Sequence, residues 1–267
     1  MEQRQRGSQK PIDPACGMHL IKRVFQKRFL GSQCRDLANC LEAALDATEA
    51  VAPVRKNPYI IQRSNRRRAL AHDEARWEET LFCELKDPPP DSGAPWKSLL
   101  SYQVNLPNRK DDKDWGEIDL LGVSRQQLPL VVELKGPRSK ESPAHMLIQV
   151  TAYAVALRKA WRSALRHEWA KKVAKQVPEE LSVVELVCAA PVEYWRNWTG
   201  DTPRARTVNP DVWAAIAALR EDLKLRGYPS VFVRLDHDGS PDAPKSIRVV
   251  EEQLPEGGAS LACLRRP

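Results

Sequence analysis

The stretch that decides the fold is WGEIDLLGVSRQQLPLVVELKG, Trp115 to Gly136. It reads as two strands joined by a turn around Ser124 to Leu128, yet it sets Glu117, Asp119, Glu133 and Lys135 where apolar side chains belong. Side chains on a strand alternate faces with a period of two. In LPLVVELKG this puts Val131, Glu133 and Lys135 on one face and Leu130, Val132 and Leu134 on the other. In GEIDLLG it puts Glu117 and Asp119 together, opposite Ile118 and Leu120. A buried charge costs several kcal/mol unless it is paired, hydrogen-bonded or bound to a metal. If the two strands are antiparallel neighbours the acids converge, and converging carboxylates repel unless a cation sits between them. Hard oxygen ligands suit Mg2+ or Mn2+. Lys135 would point to the same place, where it would orient or deprotonate a water or stabilise charge on a phosphate.

Outward from this stretch the elements follow in a regular order. A helix is predicted from about Leu70 to Lys86, followed by the Pro-rich loop KDPPPDSGAPW and a strand near SLLSYQVNL. After the two central strands comes a long helix, with Ser142 as N-cap and Pro143 at its first position, running past Trp161. LSVVELVCAA reads as another strand. A later helix is marked by Asn209 as cap, Pro210 at the first turn and Gly227 as stop, and SVFVRLD and SIRVVEE read as a late hairpin. The core order is therefore helix, three strands, helix, strand, with an α/β extension. Ahead of it, MHLIKRVFQKRFLG reads as a basic amphipathic helix ended by Gly31, and a second helix follows from Arg35 to Ala47. We divide the chain into a basic helical segment, 1–69, and an α/β domain, 70–267.

An acid, a short spacer and an apolar strand ending in E-x-K, here EID followed by VVELK, resembles the PD-(D/E)XK nuclease superfamily. The resemblance spans residues 70 to 190 and is strongest over 115 to 155. It implies a restriction-endonuclease-like core and metal-dependent hydrolysis of phosphodiester bonds in DNA. On that basis Asp119 and Glu133 would bind Mg2+ or Mn2+, Lys135 would assist the attacking water, and Glu117 would stand behind the ligands or replace one. QVTAY places Gln149 and Tyr153 side by side on the next helix. It is similar to the Q-x-x-x-Y motif of RecB-like nucleases, which implies a role in positioning substrate at the rim of the site. The superfamily commonly carries a Glu in its first core helix. Helical projection sets Glu78 inside the apolar arc of Trp77, Leu81 and Leu85, so Glu78 is taken as the third metal ligand, with Glu74 in reserve. The first motif lacks the proline that names the superfamily.

Composition is consistent with a nucleic-acid partner. The formal net charge is +7, and Arg63, Arg66, Arg67 and Arg68 form a basic run that reads either as a solvated turn or as a phosphate-binding patch. No apolar run approaches the length of a membrane span and no signal peptide is visible, which predicts a soluble cytoplasmic protein with no membrane contact. Six scattered cysteines without a C-x-x-C pair argue against a zinc ribbon or a disulfide framework, and reduced, mostly buried thiols are expected. No Walker-type loop or G-x-S-x-G elbow is present. A partner protein would have to supply any motor activity or added specificity, and a homodimer would bring the two sites needed to cut both strands. Trp195 and Trp198 would stack on unpaired bases or, more conservatively, pack at the sheet edge. Two other readings compete: a catalytically silent protein that binds DNA or a protein partner through the same fold, and cleavage of RNA.

Overall fold

The computed structural model describes residues 44–50, 52–54, 58–60, 73–106, 115–173, 177–199 and 210–251. The basic helix around Met18 to Gly31, the run Arg63, Arg66, Arg67 and Arg68, and the expected cap Asn209 lie outside the described residues. The elements are α1 (Asp73–Glu84), β1 (Trp96–Asn105), β2 (Glu117–Ser124), β3 (Pro129–Leu134), α2 (Pro143–Ala160), a π-helical stretch (Trp161–Leu165), α3 (Arg166–Lys172), β4 (Glu185–Pro191), α4 (Val192–Thr199), α5 (Pro210–Leu225), β5 (Ser230–Ser240) and β6 (Ala243–Glu251). The expected order of helix, three strands, helix, strand is present, followed by a hairpin whose strands meet across Pro241 and Asp242.

The fold is mixed α/β. All six strands form one sheet in the order β1-β2-β3-β4-β5-β6. The first three strands run antiparallel as a meander, β4 and β5 run parallel to β3, and β6 returns antiparallel to β5. Every residue of β3 is buried. That explains its near-continuous apolar sequence, since a strand with neighbours on both sides and helices on both faces has no wet face to mark with polar residues. Glu133 is the exception.

The sheet separates two apolar cores. On one face, Trp77, Leu81 and Phe82 of α1 pack on Leu130, Val132 and Leu134 of β3 and on Val187, Val233 and Val249 of the later strands. On the other, Leu147, Val150, Ala154 and Leu157 of α2 meet Val131, Leu186 and Cys188, and an outer group of Trp161, Trp169, Trp213 and Tyr228 closes over them. Ser142 caps α2 by accepting from the His145 amide at 3.2 Å, with Pro143 at its start as expected. Helical projection of the sequence puts Leu147, Val150, Ala154, Leu157 and Trp161 on one apolar stripe of α2 with Gln149 and Tyr153 beside it, and the structure corrects this: from Met146 to Leu157 only Gln149 is not buried. The helix lies between the sheet and the outer helices, so its middle turns are buried nearly all round.

Described residues between 44 and 60 also touch this core. Leu45, Ala52, Tyr59 and Ile60 belong to it, and the Glu168 carboxylate accepts from the Tyr59 and Ile60 amides at 2.8 Å each. EYWRNW is helical, within α4. Trp195 is buried, donates to the carbonyls of Ala190 and Val233 at 3.0 Å each, and stacks edge-on with Phe232, so it is a core residue and not a base-stacking platform. Of the described cysteines, Cys188 is buried and Cys83 is exposed, against the expectation of burial, and both are free thiols. No helix among the described residues is long and apolar enough to cross a membrane.

Candidate active site

β2 and β3 pair with Leu120 opposite Val132 and Leu121 opposite Val131. One step further along this register sets Asp119 opposite Glu133, so the two acids share a face at the end where β2 begins and β3 stops. Glu133 is fully buried and Lys135 is 5% exposed. Asp119 is half-buried and its Oδ2 accepts from the Leu134 amide at 2.6 Å, which ties β2 to β3 beyond their last ladder pair. Glu117 is exposed at the start of β2.

Lys135 is the centre of the cluster. Its Nζ donates to Glu133 Oε1 at 2.6 Å, lies 2.8 Å from Glu141 Oε2 and 3.9 Å from Glu74 Oε1, and approaches Gln149 Oε1 at 3.4 Å. Gln149 Nε2 in turn donates to the Tyr153 hydroxyl at 3.0 Å. The pair one helical turn apart thus continues a chain of polar contacts that starts at Glu133. Tyr153 is buried rather than at a rim, and Gly116, at φ 68°, leaves room for its hydroxyl; a Cβ there would sit 3.0 Å from that oxygen.

Glu78 comes from α1 and is 6% exposed, as its place in the apolar arc predicts. Its carboxyl is hydrogen-bonded by the Gln103 side chain, and Gln103 sits on β1 at φ 49°, a left-handed conformation uncommon for a residue other than glycine. Glu78 Oε2 and Glu133 Oε2 are buried and have no hydrogen-bond partner among the described residues.

These surroundings set the charges. Burial, with the Asp119 charge added, raises Glu78 to about 9. Burial also raises Asp119 to about 7, against the lowering effects of Lys135 and the Leu134 amide. Glu133 is pushed well above the usual carboxylate range by burial and by Asp119. For Lys135 burial acts downward, but Glu133, Glu74 and Asp119 together outweigh it and hold the ammonium well above its ordinary range. Tyr153 is raised by burial and by Glu133 and Asp119, so its phenol keeps its proton. In these surroundings Lys135 is held as a cation.

The donor set is all oxygen, of the kind Mg2+ and Mn2+ take. Two of its buried oxygens lack hydrogen-bond partners among the described residues. Among the described residues, however, no group of three or more His, Cys, Asp or Glu side chains is close enough to hold a metal ion as it stands. Glu133 Oε1 is turned to Lys135 and Asp119 Oδ2 to the Leu134 amide.

Of the residues singled out from sequence, Asp119, Glu133, Lys135, Gln149, Tyr153 and Glu78 gather here, and Glu74 joins at the edge. Gln103 and Glu141 escaped the sequence reading. Gln103 gave a faint signal, a polar residue inside an otherwise packing strand, and Glu141 gave none, being one charge in the loop GPRSKESP. No protein-family model, curated protein or solved structure matches this chain.

Proposed function

We propose that this protein is a metal-dependent nuclease of the PD-(D/E)XK type, with a restriction-endonuclease-like core, that hydrolyses phosphodiester bonds in DNA. The observation that carries the reading is the meeting of Asp119, Glu133 and Lys135 at two neighbouring strand ends, with Glu78 entering from α1. The order of helix, three strands, helix, strand supports it, as does the contact of Gln149 with both Lys135 and Tyr153.

Asp119 and Glu133 would hold Mg2+ or Mn2+, with Glu78 as the third donor directly or through water. When bound, such an ion polarises a phosphoryl oxygen and makes water a better nucleophile. The chain's own residues do the rest. Lys135, held charged, balances the negative charge that builds on the phosphate during attack. Gln149 and Tyr153 keep the Lys135 ammonium aimed along the β3 end, and the buried Tyr153 hydroxyl stays a donor. The Asp119 bond to the Leu134 amide fixes the spacing of the two strand ends.

A second reading has a specific observation behind it. Glu133 already has Lys135 as its counter-ion, and no three-donor group is assembled among the described residues. That favours a catalytically silent module that binds DNA or a protein partner. Incubation of the wild type, Asp119→Asn and Lys135→Ala with circular duplex, linear duplex and single-stranded DNA, in Mg2+, Mn2+ or EDTA, separates the two. Metal-dependent cleavage lost in both variants is expected. Cleavage that survives both substitutions would sink the site assignment, and binding without cleavage in any metal would favour the silent module.

A further inference from the structure

A cavity of about 460 Å3 opens beside the carboxyl end of β4 and the middle of β5, lined by Trp195 and Arg196 of α4, Arg234, Asp236 and His237 of β5, and Arg248 of β6. Its volume is in the range of small-molecule sites. Its lining is strongly basic. Arg234 is held by Asp236 at 2.9 Å and 3.4 Å, and His237 Nε2 lies 3.0 Å from Glu193 Oε1. Arg196 and Arg248 are exposed and make no hydrogen bond or ion pair with a described residue. The cavity therefore offers one arginine held in place and two with free guanidinium forks. Such forks match the oxygens of a phosphate.

Its place in the sheet connects it to the acid cluster. The parallel strands put Leu134 beside Ala189, and Ala190 beside Arg234. One residue further along β3, Lys135 falls in the same row and on the same face as Ala190 and Arg234. Neighbouring strands are ~4.8 Å apart, so Lys135 and Arg234 stand roughly 10 Å apart across the sheet. That is the scale of the separation between nearby phosphates of one strand, which lie farther apart through space than the ~3.4 Å rise per nucleotide along the helix axis. A direct contact also links the two places. Tyr194 of α4 donates to the Glu141 carbonyl at 2.9 Å, and the Glu141 carboxylate pairs with Lys135 at 2.8 Å.

We propose that this arginine-lined cavity is a phosphate subsite, holding a nearby phosphate of the same nucleic-acid strand as the bond that would be cut. The assignment of the cut rests on the nuclease reading; the binding does not. The test uses full-length protein in EDTA with a short labelled DNA duplex, prepared with either a 5′-phosphate or a 5′-hydroxyl. Wild type, the double variant Arg196→Gln/Arg248→Gln and the conservative Arg196→Lys/Arg248→Lys are compared across a salt series, with circular dichroism to verify folding.

The Gln variant should bind about tenfold more weakly, with a salt slope shallower by about one to two, and the Lys variant should recover most of the slope. A loss equal for both duplexes identifies an internal diester as the ligand, and a loss confined to the 5′-phosphorylated duplex identifies a terminal phosphate. Unchanged affinity and slope in a folded Gln variant would overturn the subsite, while metal-dependent cleavage by that variant would leave the nuclease reading standing. Absence of DNA binding by the wild type would overturn the subsite as well, whatever the cleavage assay shows.

Discussion

Glu78 is best understood together with the proton it holds. Its carboxyl is raised from 4.5 to about 9 by burial and by the Asp119 charge, so near neutral pH the folded protein keeps a proton that the unfolded chain has released. A group shifted in this direction stabilises fully below its unfolded value, and the stabilisation is lost as pH rises through the folded value. In EDTA, wild-type stability should therefore decline from about pH 5 to about pH 9. Glu78→Gln keeps the shape without the ionisable proton. Its melting curve should fall less over that range, by about 1 kcal/mol or more, read as roughly 2–4 °C in a chain of this size. Parallel curves for wild type and variant would show that the buried Glu78 carboxyl is not the source of the pH dependence. Lys135→Ala should behave in the opposite way. It strips Glu133 of its nearest cation, and breaking a buried pair costs about 3–5 kcal/mol. Because Glu133 can escape that cost by taking up a proton, the variant should lose most stability at alkaline pH and least near pH 5. Melts of Lys135→Ala at the two pH values test this, and they explain why Asp119→Asn belongs beside it in any cleavage assay.

Among the elements, the ends of the helices were the most legible parts of the sequence, because caps and stops depend on single residues with strong local preferences. Gly227 shows why. It ends α5 at φ 84°, and a Cβ at this position would meet the Ser182 carbonyl oxygen at 2.0 Å. Its own carbonyl accepts from the Val184 amide at 2.9 Å, which anchors the approach to β4. Gly227→Ala should cost more than the ~1 kcal/mol of the left-handed backbone alone, because the clash is with backbone that cannot swing aside. Thermal melts should show a drop well above 4 °C; a smaller drop would mean that the 182–184 segment moves freely. Ser142 with Pro143 was legible for the same reason, and the alternation in β2 and β3 gave the acid cluster directly. What period and propensity could not supply was the third dimension. α2 looked amphipathic by projection, but the outer layer of Trp161, Trp169 and Trp213 buries its far side as well. EYWRNW carried no helix cap, and its helical state follows from Trp195 reaching back to the carbonyls of β4 and β5. Glu141 and Gln103 reach the cluster through tertiary contacts that no local pattern encodes.

For the molecule as a whole, the sheet topology concentrates opposite charges at one edge. The chain carries a formal net charge of +7, yet Glu74, Asp119, Glu133 and Glu141 surround Lys135 where β2 starts and β3 ends, with Glu78 beside Asp119. Running β3, β4 and β5 in parallel brings the carboxyl ends of β3 and β4 level with Arg234 in the middle of β5, which puts the arginine cavity near the acids without any sequence proximity. Acids that hold protons this firmly bind a metal only by releasing them. With Asp119 at about 7 and Glu78 at about 9, affinity for Mg2+ or Mn2+ should rise steeply as pH increases across that interval. Ligand binding to the folded state alone adds RT ln(1 + [L]/Kd), so each tenfold gain in affinity adds about 1.4 kcal/mol at a fixed excess of metal. The increase in melting temperature caused by Mn2+ should therefore be small near pH 6, several degrees near pH 9, and absent in Asp119→Asn at both. EDTA should reverse it. The same acids that make the metal-free protein less stable at alkaline pH would then make the metal-loaded protein more stable there, so the two pH profiles should diverge. Profiles that stay parallel would mean that Lys135 is the only cation the cluster accepts, which is what the silent binding module requires.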